Sequence, residues 1–413
     1  MAQINITLEQ EEILHIFTAN RDEAFKILLE KILNEVMKAE SEEQIGAELH
    51  ERSGNRKDYR NGSRERQLTT RIGTLNLEVP RHRKEPFHTM VLENYRRSEA
   101  SLIATMVQMV IAGVSTRKVA KVVETLCGQS FSKSTVSALC KTLDAEIDAF
   151  RTRPLDYLSS PFLMVDATYF SVREDSHIVK KAFMLALAIR EDGMREIVGF
   201  DVFDAEDEYS WRTFLNGLKE RGLKAVNMMI SDAHKSIRKA MAAVFPETAW
   251  QRCQTHFTRN ILDETPNKYR KGLALELRKM FEADTVDEAR KVRDELIDDY
   301  SDVASKAMKV LDEGFEDSMT VMLLPKHFRV SLRSTNLLER LNRELKRRSN
   351  VIQVFPNRDS VLRLMGAVSM EQNEAFSCKQ RLFSPKTYCS FVLNIFPQMF
   401  NVASQQLIML NAY

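Results

Sequence analysis

Ser160-Pro161-Phe162-Leu163-Met164-Val165-Asp166-Ala167-Thr168-Tyr169-Phe170 carries an apolar run straight into one acid. A short apolar run entered through Ser-Pro reads as a buried strand. A carboxylate at its last inward position is costly to bury unless it is paired or holds a metal ion. Asp166 is therefore either a metal ligand at the end of a central strand or a residue that caps the next turn. The stretches on either side decide between the two.

Downstream, 182–189 and 196–202 are two more strand candidates, with Gly193 in the turn between them, which predicts an antiparallel meander. Residues 208–221 are amphipathic, with Trp211, Phe214, Leu215 and Leu218 at helical spacing and Gly222 as the stop. Trp211 then belongs to the core. Residues 226–230 form a buried strand running into Ser231-Asp232, 234–245 a helix ended by Pro246, and 248–253 a fifth strand. Strand, strand, strand, helix, strand, helix, strand is the order of a ribonuclease H-like α/β fold with a mixed sheet, one helix short of completion. From Arg259 to about Asp317 the pattern is helical, with breaks near Pro266 and Asp284-Thr285, as expected of a helical insertion. The missing helix follows, capped by Ser334 or Thr335. Leu338, Leu341 and Leu345 line one face, and Glu339, Asn342, Arg343 and Lys346 lie on another.

In that layout the first and fourth strands are neighbours. Asp166 and Asp232 then converge at one sheet edge, and Glu339 crosses over them. Three carboxylates around one pocket suit two Mg²⁺ ions, or Mn²⁺, which take oxygen ligands. Such a pair activates a nucleophile and stabilises the leaving oxygen of an in-line phosphodiester displacement.

Charge is distributed unevenly along the 413 residues, although the net charge is only +2. Arg52 to Lys84 holds ten Lys/Arg against three Asp/Glu, and Arg340 to Arg348 holds five against one. Basic patches in a near-neutral chain point to a polyanion at defined surfaces. The first patch reads as a polar arm over 51–66 followed by a hairpin, 67–72 and 74–79 around Gly73, ended by Pro80 and Arg81-His82-Arg83-Lys84. Before it, 20–40 reads as a helix. Asn20 and Glu23 are its capping pair, and Phe25, Leu28, Leu29, Ile32 and Val36 form one face suited to packing or to a dimer contact. After it, 98–150 is helical throughout. Ser115 and Ser132 cap two short helices joined by Cys127-Gly128-Gln129-Ser130-Phe131, a helix-turn-helix layout. The second helix offers Lys133, Ser134, Thr135, Ser137 and Lys141 near its exposed face.

A hydrophobic content of 44% allows two or three domains with real cores. No apolar run approaches the ~18 to 20 residues that cross a bilayer, and Met1-Ala2-Gln3-Ile4 opens no signal peptide. Five scattered cysteines without a Cys-x-x-Cys pair disfavour both a disulfide framework and structural zinc. A cytoplasmic, nucleoid-associated protein is expected. The boundaries expected are an N-terminal helical region 1–50, basic arm and hairpin 51–97, helix-turn-helix domain 98–157, catalytic domain 158–254 and 329–375, helical insertion 255–328 and helical tail 376–413.

Several motifs resemble those of Mutator-type transposases of bacterial insertion sequences. Arg60-Asn61-Gly62 with Leu77-Glu78-Val79-Pro80-Arg81 is similar to the family's N-terminal signature. Gly113-Val114-Ser115-Thr116-Arg117 with Ser132-Lys133-Ser134-Thr135-Val136-Ser137 resembles its helix-turn-helix. Gln251-Arg252-Cys253-Gln254-Thr255-His256-Phe257-Thr258-Arg259-Asn260 is similar to its cysteine–histidine motif. Arg333-Ser334-Thr335-Asn336-Leu337-Leu338-Glu339-Arg340-Leu341-Asn342 resembles the block around its catalytic glutamate, continued by Arg347-Arg348 and Phe355-Pro356-Asn357. The resemblance runs from about Asp58 onward. It implies an Asp-Asp-Glu transposase acting on double-stranded DNA at terminal inverted repeats, and a homodimer. Asp166, Asp232 and Glu339 would be both the catalytic and the metal-binding triad. The family usually has glycine after the second aspartate, where this chain has Ala233.

Cys253 and His256 are half a zinc site, a thiol–base pair, or supports of the active-site edge; the supporting role fits best. Arg333, Asn336, Arg340 and Arg343, which flank Glu339, are expected to position phosphates. Arg259 and Asn260 are expected to do the same, with Arg60, Arg81, Arg117, Lys133, Ser134, Thr135 and Lys141 contacting the repeats. Two rivals are a nuclease or resolvase on the same fold, which cleaves without joining, and a DNA-binding regulator with a retired catalytic domain.

Overall fold

The computed structural model describes residues 21–47, 51, 54, 56–70, 73–89, 100–127, 132–224 and 226–411. The chain divides into two compact units, Met1–Thr142 and Leu143–Tyr413.

In the first unit α1 (Arg21–Ile45) packs on the antiparallel hairpin of β1 (Arg60–Thr70) and β2 (Gly73–His82). Strand β2 alternates, so Leu75, Leu77 and Val79 turn inward together. They meet Met37, Leu29 and Leu33 of α1. The helix face differs from expectation: Phe25 is 61% exposed. Helix α1 carries two overlapping apolar stripes, and the hairpin selects the one through Leu29, Leu33 and Met37. The expected cap Asn20 lies outside the described residues. Strand β1 also begins earlier than its apolar content suggests. Arg60 pairs with His82, because β2 supplies a backbone ladder to a polar strand. Asp58 closes the open end by accepting from the backbone N–H groups of Tyr59, Lys84 and Glu85.

Helices α2 (Ala100–Ile111), α3 (Thr116–Cys127) and α4 (Lys133–Cys140) bury Leu102, Met106, Val119, Val123 and Val136 against one another. Ser115 Oγ accepts from the Lys118 N–H and Ser132 Oγ from the Thr135 N–H, at 3.4 and 3.0 Å. The turn at 128–131 lies outside the described residues.

The second unit begins with α5 (Asp144–Thr152) and is built on a six-stranded mixed sheet. Strands β3 (Phe162–Glu174), β4 (His177–Ile189) and β5 (Arg195–Phe203) form the antiparallel meander. Then come α6 (Glu208–Glu220), β6 (Met228–Ser231), α7 (Lys235–Val244) and β7 (Ala249–Arg252). The spatial order is β5-β4-β3-β6-β7, with β6 parallel to both β3 and β7. Elements therefore follow in the expected order, with one correction. Asp166 does not end the first strand. It is the fifth of thirteen residues in β3, which continues to a turn where Asp175 and Ser176 have φ of 44° and 67°. The apolar run marks only the part of β3 sandwiched between layers; beyond it the strand is partly exposed, as at Tyr169 and Arg173, and remains paired to β4.

Helices α6 and α7 cover one face, burying Trp211, Phe214, Leu215, Ile237 and Ala240 against Leu163, Val165, Met184 and Ala186. Trp211 is wholly buried. On the other face Phe150, Phe183 and Phe200 stack at 5.8 to 6.0 Å.

After β7 come α8 (Gln254–Asp263), α9 (Asn267–Glu282) and α10 (Val286–Met319), the last kinked at Ala304. They share a core of Phe257, Ile261, Leu273, Leu277, Leu311 and Phe315. Thr285 and Glu288 form a capping box at the start of α10. A 3-10 turn (Thr320–Leu323) and α11 (Lys326–Leu332) lead into α12 (Asn336–Ser349), which packs across β3. The chain then pairs with the outer part of β3 as β8 (Val354–Phe355) and continues as α13 (Arg358–Ser377).

The tail forms α14 (Pro385–Cys389) and α15 (Val392–Asn411). From α15, Gln406 Oε1 accepts from the Trp250 N–H at 2.8 Å and its Nε2 donates to the Trp250 carbonyl at 2.9 Å. One amide side chain thus satisfies the free edge of β7, where an unpaired strand would invite another. Among the described residues no helix is long and apolar enough to cross a membrane.

Candidate active site

Strand register brings the two aspartates together. Met164 of β3 pairs with Ile230 of β6. Two residues further along the chain from that pair stand Asp166, within β3, and Asp232, one residue past the end of β6. Burial pushes the Asp166 carboxyl up to about 7, and the Asp232 carboxylate beside it adds to the rise. The His256 ring and the Ala167 N–H, which donates to Asp166 Oδ1 at 2.9 Å, oppose it. Asp232 is oriented by its own turn: its Oδ1 accepts from the His234 N–H at 3.1 Å. Ala233 is partly buried against the α6–α7 core, so the turn accommodates a methyl there.

Glu339 occupies the first turn of α12, whose Leu338, Leu341 and Leu345 are buried. Its Oε1 lies 3.5 Å from His256 Nε2, in the first turn of α8, and has no hydrogen-bond partner among the described residues. The Cys253 thiol beside its ring, then the Asp166 and Glu339 carboxylates, raise His256 to about 9 against the effect of burial. Burial would push the Cys253 thiol up, but His256 and Thr335 outweigh it and hold it below its usual range. Cys253 Sγ accepts from both the backbone N–H and the Oγ1 of Thr335 at 3.3 Å, and the Gln254 N–H donates to the Arg333 carbonyl at 2.9 Å. Thr335, a candidate side-chain cap of α12 by sequence, gives its hydroxyl to the sulfur instead. The stretch from Cys253 to His256 is thus tied by three hydrogen bonds to Arg333 and Thr335, the residues that lead into the Glu339 helix.

Two residues with no expected role also belong to this edge. Asn342, one turn after Glu339, donates from Nδ2 to Asp166 Oδ2 at 2.8 Å. Its place on the Glu339 face is visible in the helical repeat. Glu206 precedes α6 and accepts from the Tyr169 hydroxyl at 3.3 Å. Burial first, then the Asp232 carboxylate, hold Glu206 above the usual carboxylate range. It sits in the acid run Asp204-Ala205-Glu206-Asp207-Glu208, where nothing in the sequence marks which acid turns toward the site.

The donor set is all hard oxygen, which suits Mg²⁺ or Mn²⁺. The neighbouring Asp166 and Asp232 carboxylates, and Asn342 Oδ1 with no hydrogen-bond partner among the described residues, also favour a cation, whereas Glu339 Oε1 is engaged by His256. Nevertheless, among the described residues no three His, Cys, Asp or Glu side chains are gathered closely enough to hold one metal ion. The aspartates are side by side, and Glu339 rests against His256.

The expected DNA-contacting residues have varied settings. Along α12, Asn336, Arg340 and Arg343 form an exposed stripe, and Asn336 Oδ1 accepts from the Thr255 hydroxyl of α8 at 3.3 Å. Arg259 and Asn260 are exposed one turn further along α8, and Arg333 is partly buried at the end of α11. In the first unit Arg81, Arg117, Lys133, Ser134, Thr135 and Lys141 are exposed. Arg60 is half-buried instead, donating to the Ala47 carbonyl at 3.0 Å and pairing with Glu42 at 3.4 Å.

Comparison with known proteins matches residues 1–378 to a family described as "Transposase, Mutator family". The chain is 42% identical over 395 residues to the transposase for insertion sequence element IS256 in transposon Tn4001 of Staphylococcus aureus, covering 95% of this chain and 100% of that one. It is 39% identical over 361 residues to the transposase for element ISRM5 of Rhizobium meliloti, with 87% and 90% covered. It is 36% identical over 348 residues to the transposase for element IS1081 of Mycobacterium tuberculosis, with 84% of each chain covered. With its matched residues spanning both units, the chain belongs to the Mutator family of transposases.

Proposed function

We propose that this transposase binds the terminal inverted repeats of an insertion sequence and carries out metal-dependent strand cleavage and strand transfer through Asp166, Asp232 and Glu339. The observation that supports the reading is the β3–β6 pairing, which ends at Met164 and Ile230 two residues before Asp166 and Asp232, with Asp166 feeling the Asp232 carboxylate and bonded to the helix that bears Glu339. A strand order with three antiparallel and two parallel members, closed by a helix across the first strand, supports a ribonuclease H-like catalytic domain, with α8 to α10 as its helical insertion.

Asp166 and Asp232 would hold the divalent ions, with Glu339 completing the set. Two such ions supply an activated nucleophile and stabilise the leaving oxygen. The remaining work falls to the protein. Cys253 and Thr335 fix the start of α12, and the exposed Asn336, Arg340 and Arg343, with Arg259 and Asn260, seat phosphates beside the carboxylates. Water attacks a phosphodiester at the element end and releases a 3′-hydroxyl; that hydroxyl attacks a phosphodiester of a second strand, whose own 3′-oxygen leaves, so one phosphodiester replaces another without a covalent enzyme intermediate. The exposed positions of α3, α4 and the β1–β2 hairpin read the repeats, and paired ends call for a homodimer working on DNA in the nucleoid.

Labelled element ends test the reading. Asp232→Asn abolishes cleavage and leaves end binding within a few-fold, whereas cleavage at the wild-type rate by this variant refutes it. Joined products with wild-type protein separate transfer from simple nuclease action.

A further inference from the structure

Asp166 is gripped on both oxygens. Its own strand supplies the Ala167 N–H to Oδ1, and the Glu339 helix supplies Asn342 Nδ2 to Oδ2. Asn342 is only 8% exposed, and its Oδ1 has no hydrogen-bond partner among the described residues. A buried amide that spends its donor on a carboxylate, and leaves its acceptor open, is costly unless the site uses both ends. The chemistry also selects an amide here. Aspartate would set another negative charge against Asp166, and leucine would fill the space but donate nothing. The bond ties β3 to the helix that carries Glu339 one turn earlier.

We propose that Asn342 is a positioning residue for divalent-ion binding: it orients the Asp166 carboxylate and locks the Glu339 helix to β3, so the affinity for the ion depends on a side chain that is not itself one of the acids. This rests on the reading of Asp166, Asp232 and Glu339 as the ion-binding set. Partners that orient metal-binding carboxylates typically matter ~10- to 100-fold in affinity.

The test is Mn²⁺ alone titrated into the full chain without DNA, followed calorimetrically, for wild type, Asn342→Leu and Asn342→Ser. Leucine keeps the volume without the donor, and serine is too short to reach, which covers the case in which the leucine variant does not fold. The expected result is a Kd for Mn²⁺ raised about 10- to 100-fold, with the fold retained and end binding near wild type. The Mn²⁺ concentration for half-maximal cleavage rises in parallel, and excess Mn²⁺ restores much of the maximal rate. An unchanged Kd in a folded variant overturns the proposal. Asp166→Asn, run alongside, keeps the two questions apart. Full cleavage by that variant sinks the triad itself, whereas an inert Asp166→Asn with an unaltered Kd in the Asn342 variants sinks the inference about Asn342 alone.

Discussion

His256 Nε2 stands 3.5 Å from Glu339 Oε1, so the acid expected to join the two aspartates is held by an imidazole on a different helix. The ring is itself fixed from behind by Cys253, three residues earlier and fully buried. The cysteine–histidine pair and the glutamate helix form one mechanical unit.

That arrangement has a signature in pH. His256 is raised from 6.5 to about 9, chiefly by the Cys253 thiol and the neighbouring acids. A group whose pKa is higher folded than unfolded contributes stability that is fully present below its unfolded value. The contribution is lost as pH rises from about 6.5 through 9. In thermal unfolding of the metal-free protein, the fall in melting temperature over this window is expected to shrink in His256→Gln. Identical slopes for the two proteins would remove the link.

Cys253 is expected to matter as a hydrogen-bond acceptor. Cys253→Ala strands two Thr335 donors in a buried site and costs about 1–3 kcal/mol. Cys253→Ser keeps an acceptor and stays closer to wild type. Denaturant unfolding of the pair decides the matter, since equal losses would reduce the thiol to a space-filler.

Gly314 allows the insertion to close on the sheet. A Cβ there would lie 2.0 Å from Arg252 Nη1 and 2.6 Å from the Phe257 ring, over which the Arg252 guanidinium sits at 4.1 Å. Gly314→Ala is expected to lose about 1–3 kcal/mol through overpacking. Gly217→Ala, in α6 with nothing within 4 Å of the added carbon, is expected to gain up to about 1 kcal/mol from helix propensity. Opposite signs in urea unfolding are the readout.

Arg340 and Arg343 are exposed and form no ion pair with a described residue. If they seat phosphates, replacing both by alanine lowers the salt slope of DNA binding by about 1 for each phosphate no longer held, uniformly across sequences. A slope equal to wild type, measured from low to moderate salt, excludes them from the interface.

Local pattern determined a great deal about this protein. Apolar runs and helical repeats gave the order of β3 to β7 with α6 and α7 between them, the helical stretch after β7, and the later helix with Glu339 and Asn342 on one face. Such features repeat every two or every 3.6 residues and need no partner to be seen. Tertiary structure alone decided the rest. Asp166 sits inside a long strand and not at its end, because pairing with β4 carries a partly exposed segment onward. Helix α1 presents Leu29, Leu33 and Met37 in place of Phe25, because the hairpin chooses between two stripes. Glu206 faces Asp232, Thr335 serves Cys253, Asn342 grips Asp166 and Gln406 completes the edge of β7. Each of these depends on distant parts of the chain meeting, and they meet only once burial has fixed both partners in place.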